Sequence, residues 1–170
     1  MRRTLQAGTF VGILALLGVA CGQSPTSPSL LGPGGTAQAG GAHTVPFTGS
    51  LEGTVTVTPL NPPFASVVIT ASGNATHLGQ FTLQVPHIVN FATANGEGTF
   101  TFTAANGDRL TATFTGHADT TPPIFKIEET ATITGGTGRF ANATGSFVAH
   151  RLFDPVAQTT TGTFEGTVAF

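Results

Sequence analysis

A two-residue repeat of apolar side chain and threonine dominates this chain and leaves it few folds to choose from. In LEGTVTVT (51–58), Leu51, Gly53, Val55 and Val57 fall on one side of an extended backbone. Glu52, Thr54, Thr56 and Thr58 fall on the other. EGTFTFT (97–103) and RLTATFTG (109–116) repeat the pattern, with Phe100, Phe102, Leu110, Ala112 and Phe114 opposed by threonines. Alternation of this kind marks a strand with one buried and one solvated face. NGD at 106–108 lies between the last two segments, so 97–104 and 109–117 form a hairpin.

Further strands are expected at 65–71, 78–85, 124–134, 146–153 and 163–170. That makes about eight at short intervals with no helical periodicity, the spacing of a sandwich or an antiparallel barrel. With 23 Gly and 14 Phe, the composition suits strands and tight turns better than helices. In water the Phe, Val and Ile face must turn inward. A lipid-embedded barrel would reverse the faces and carry aromatic girdles, and the chain has no Trp and no Tyr. The same lack removes the usual platforms for stacking sugars.

The first residues have another character. MRRTLQAGTFVGILALLGVACGQ has a basic start at Arg2 and Arg3, an apolar run from Phe10 to Ala20, and a small residue before Cys21. This is the layout of an export signal, and the run is short for a membrane span. VAC resembles the cleavage box of a bacterial lipoprotein. The resemblance implies residues 1–20 as signal peptide, acylation of Cys21 and anchoring to the cell envelope, at the periplasmic or outer face. The alternative is an ordinary signal peptide with Cys21 left as a free thiol. One cysteine excludes an intrachain disulfide. Residues 21–44 are rich in Gly, Pro and Ser and read as a flexible tether; the folded domain is expected over 45–170. Without Arg2 and Arg3, four basic residues face eight acidic ones, a net charge of about −4. Nucleic acid is therefore not an expected partner.

ITGGTGRFANATGSF (133–147) poses a choice between a phosphate loop and a corner. A phosphate loop needs a helix after it, and the chain continues instead into the strand-like FVAHRLF (147–153). Gly135, Gly136 and Gly138 read as a structural turn supplying positive φ. The segment resembles the Gly-Gly-Thr-Gly stretch of dirigent proteins and, more loosely, of allene oxide cyclases, and FEGTV (164–168) resembles their closing strand. This implies an eight-stranded antiparallel barrel with a central apolar cavity, no cofactor, and a homo-oligomer.

Inside such a barrel, polar residues in register with apolar ones stand out. Glu129 shares parity with Phe125, Ile127, Ala131 and Ile133, and Arg151 with Phe147, Ala149 and Phe153. The two form a structural or rim ion pair, or a polar anchor for a cavity ligand; a bulge between them and the core would reverse both. His77 and His87 share the parity of Phe81, Leu83 and Val85 and complete the candidate set. Ten residues apart, they would lie roughly 33 Å from each other if extended, too far to share a metal, and no metal site is expected. Three functions compete: a binding module for a small hydrophobic ligand, a cofactor-free cyclase, isomerase or dirigent-like enzyme, and a filled barrel whose surface matters.

Overall fold

A computed structural model describes residues 43–170; the expected export signal (1–20), Cys21 and all but the last two residues of the expected tether (21–44) lie outside the described residues. The strands are β1 (Thr44–Pro59), β2 (Phe64–Ala75), β3 (Gly79–Asn90), β4 (Asn95–Ala104), β5 (Arg109–Asp119), β6 (Phe125–Gly136), β7 (Thr144–Asp154) and β8 (Thr159–Ala169). Each pairs antiparallel with its neighbours in sequence, and β1 closes on β8 from Thr44↔Ala169 to Thr54↔Thr159. The alternation left a sandwich or a barrel open, and the eight-stranded antiparallel barrel that the resemblance implies is the observed fold. Every strand has both edges paired within residues 44–169. No hydrogen-bonding edge is left to be supplied from outside.

The barrel has two ends. Connections 60–63, 91–94, 120–124 and 155–158 cluster at one, called the upper end here. Connections 76–78, 105–108 and 137–143, with the start of β1 and the end of β8, form the lower end. The lower half is filled by aromatic rings. Phe47 lies 5.0 Å from Phe164 and 5.5 Å from Phe147, Phe81 is 5.2 Å from Phe102, and Phe100 is 4.7 Å from Phe114. Such pairs add about 0.5–1.5 kcal/mol each beyond the area they bury. Room for them comes from missing side chains. A Cβ on Gly73 would lie 2.8 Å from the Phe81 ring, and one on Gly166 2.7 Å from Phe147 Cβ.

GGTG is a corner at this lower end. Gly135 (φ 123°) and Gly138 (φ 57°) take positive φ, as expected. Gly136 does not: it is needed because a Cβ there would run into the Arg109 carbonyl. A short 3₁₀ turn, Gly138–Phe140, comes next and drives Phe140 into full burial, with the Arg139 guanidinium 4.8 Å from its ring centroid. Asp108 of the NGD turn reaches across to pair with Arg139 at 3.7 Å. A bulge does occur, between the Thr111↔Gly135 and Ala112↔Ile133 pairs. It falls below Glu129, so the inward parity of Glu129 survives.

Candidate functional site in the upper lumen

The upper half of the lumen is built differently. Inward residues near the rim, including Val89, Ala118, Ile127 and Phe153, are only half-buried, whereas inward residues at the lower end such as Phe47, Leu110 and Val168 are fully covered. Solvent therefore reaches these rim residues from above. Phe125 and Phe153 face each other across β6 and β7 with ring centroids 6.0 Å apart, an apolar pair between the mouth and the residues beneath.

Beneath them lies an ion pair. Glu129 and Arg151 are 2% and 4% exposed. Arg151 pairs with Ile127 across the strands, and Glu129 with Ala149, so the two side chains are diagonal neighbours. Arg151 Nε donates to Glu129 Oε2 at 2.8 Å and Nη2 to Oε1 at 2.5 Å, a bidentate fork. Arg151 Nη1 donates to Thr160 Oγ1 at 3.2 Å, and that hydroxyl donates to the Leu152 carbonyl at 2.9 Å. Among the described residues no buried side-chain nitrogen or oxygen lacks a partner. At about 3.3 Å per residue, Arg151 sits roughly 10 Å along β7 from the upper rim.

Glycines make this possible, as they do for the rings below. Glu129 faces Gly116 on β5, and Arg151 faces Gly162 on β8. An added Cβ would lie 2.7 Å from Glu129 Cγ at the first and 2.8 Å from Arg151 Cγ at the second. His87 faces Gly98 on β4 in the same way, its Cβ resting over the glycine. Each long polar side chain thus lies across a strand position that carries none.

His87 is half-buried, points into the lumen, and lies edge-on to Phe114 at 5.7 Å. Its Nδ1 is 3.0 Å from the Val85 carbonyl oxygen. Burial pushes its pKa below the ordinary 6.5; the Val85 carbonyl opposes this, the Arg151 charge adds to it, and the Glu129 charge opposes it again.

The sequence candidates therefore divide. Glu129, Arg151 and His87 all face the upper lumen. His77 does not: it lies in the β2–β3 turn with φ 64°, exposed, its ring 5.7 Å from Phe170 at the lower end. Positive φ at the turn breaks the alternation, so counting parity back from Phe81 fails there. Thr160 was missed because β8 begins at Thr159 and not at 163; its shared parity with Phe164 and Val168 was the available signal. A broad, open depression is lined mainly by outward-facing residues such as Ser50, Ser72, Thr115, Glu128 and Thr163, with Ile127 and Arg151 also bordering it. Among the described residues no cluster of His, Cys, Asp and Glu is arranged to hold a metal ion.

What the arrangement can do is limited by its pairing. Glu129 and Arg151 neutralise each other, and both carboxylate oxygens are already engaged. The pair presents a rigid dipole rather than a free acid, base or anion receptor.

No protein-family model matches the chain, and no curated protein matches it. A solved structure does: that of the pterocarpan synthase dirigent protein GePTS1 is similar with a TM-score of 0.52 at 12% identity, over 75% of this chain and 84% of that one. The share of this chain is about what the barrel itself occupies. At that identity the likeness is one of fold, and the chain has a dirigent-like eight-stranded barrel.

Proposed function

We propose that this protein is a binding module that holds a small, mainly apolar molecule in the upper lumen of its barrel. The observation that carries the reading is the buried Glu129–Arg151 fork in an otherwise apolar interior beneath a half-exposed rim. Stability does not account for it. Taking two charges out of water costs several kcal/mol per ion, and well-packed hydrophobic residues in their stead are often neutral or more stable by about 1–4 kcal/mol. A lumen already filled with phenylalanine below had an apolar alternative above. A fixed dipole beneath a half-open apolar mouth instead orients a guest with one polar group.

Export and anchoring through a lipid on Cys21 belong to the same proposal, supported by Arg2, Arg3 and the apolar run to Ala20. Cys21→Ser should move the protein from the membrane fraction to the soluble one. A cofactor-free, dirigent-like enzyme is the second reading, favoured by the fold shared with a pterocarpan synthase dirigent protein. Against Glu129 as its acid or base stands the bidentate Arg151, which uses both carboxylate oxygens.

Native mass spectrometry of the full chain from its own host tests the binding reading. A discrete adduct that denaturation removes is the expected result. A bare mass, with no thermal stabilisation by a panel of hydrophobic compounds, would overturn it and direct attention to the outer surface.

A further inference from the structure

Every polar group of the ion-pair network is engaged, and one inward-facing polar atom beside it is not. The Val85 carbonyl can only accept a hydrogen bond, so the proton of the neutral His87 imidazole sits on Nδ1. Nε2 then carries a bare lone pair. Among the described residues it has no hydrogen-bond partner, and no buried nitrogen there is left without one, so Nε2 lies where solvent or a guest reaches it. Its surroundings are apolar: Val67 is its cross-strand partner on β2, Gly98 its partner on β4, and Phe114 on β5 lies edge-on. The charges inside the lumen that act on it are Arg151 of β7 and Glu129 of β6, which oppose each other there, Arg151 the more strongly. The neighbouring Glu97 and His117 face outward.

We propose that His87 Nε2 acts beside the Glu129–Arg151 dipole, which orients the bound molecule's polar group, by accepting a hydrogen bond from its hydroxyl, and that the site therefore selects neutral apolar alcohols over ethers and carboxylates. The proposal rests on the binding reading above and names the chemical class that reading leaves open. A bare imidazole nitrogen needs a donor, and an ether has none. A carboxylate has none either at neutral pH, and the Arg151 guanidinium that could have received it is held by Glu129. Gly96 leaves room for about one methyl group beside the imidazole edge, 3.7 Å from Cδ2 to an added Cβ.

The test compares three probes of equal chain length, 1-decanol, decyl methyl ether and decanoate, by calorimetric titration of the full chain at pH 7.5. One net hydrogen bond of ordinary strength makes decanol roughly fivefold to tenfold tighter than the ether, with decanoate weakest. His87→Phe should remove the preference for decanol and leave the ether unchanged, while His87→Gln, which keeps an acceptor, should retain part of it. Should the Phe variant not fold, nitrogen NMR of the imidazole in the unaltered protein decides: the expected state is neutral with the proton on Nδ1. Equal affinity for decanol and ether, or a proton on Nε2, overturns the proposal and leaves the binding reading standing. If no probe binds, both fall.

Discussion

The two ends of this barrel solve one problem in opposite ways. Both are walled by the same alternating strands, and both gain room inside through glycines facing large side chains. At the lower end the large side chains are phenylalanines, locked ring against ring and sealed by Phe140 from the Gly-Gly-Thr-Gly corner. At the upper end they are Glu129, Arg151 and His87 beneath a half-exposed apolar rim. The difference separates an end built for the fold from the end at which we propose binding. Aromatic packing lowers the free energy of the fold wherever it is placed, whereas a buried ion pair often does no more than break even.

Removing a ring from the closed end should give the largest effect. Phe102→Ala should cost about 3–5 kcal/mol of unfolding free energy in a denaturant titration. The same change at Phe125 on the upper rim should cost clearly less, because that ring is only half-buried. Comparable losses would erase the distinction between the ends.

The corner gives the next effect. Gly138→Ala must hold a non-glycine residue at φ 57° and push its Cβ into the Asp108 carboxylate. A loss of about 1–3 kcal/mol is expected. Gly107→Ala, at φ 88° in open space, meets no neighbour and should cost less. Neither should alter binding at the far end.

The smallest effect is a pH dependence. The His87 pKa in the folded state lies below its ordinary 6.5. Above 6.5 the imidazole is neutral in both states and contributes nothing. As pH falls below 6.5, the unfolded chain takes up a proton that the folded one resists, and stability is lost until the folded pKa is passed. His87→Gln should flatten that part of the stability–pH curve, read from denaturation midpoints between pH 7.5 and 5. An unchanged slope would mean that His87 is as solvated as an exposed histidine.

The strands were legible in the sequence because period-two alternation is imposed by solvent on every strand and needs no long-range knowledge; the choice of a barrel over a sandwich came from the resemblance at 133–147. The inward aim of Glu129 and Arg151 came from the same parity, since the bulge between β5 and β6 lies below them. Legibility stopped where parity was broken or where geometry outside the strand decided. The turn at His77 broke it. The true start of β8 hid Thr160 among outward threonines. Gly136 was expected to supply positive φ and instead makes way for the Arg109 carbonyl on the next strand, a contact that spacing alone does not contain. The pairing that takes both oxygens of Glu129 lay beyond parity as well, because parity gives direction and not distance.

The central claim is that the charged pair is kept for binding and not for stability. The unfolding free energy of Glu129→Leu/Arg151→Met, compared with the unaltered protein, tests it most directly. Thr160 keeps its bond to the Leu152 carbonyl, so the double replacement strands no partner. The account expects each single variant to lose about 3–5 kcal/mol and the double variant to be as stable as the original or more so. A double variant that loses as much as the singles would contradict it, and would make the ion pair part of what holds the barrel together.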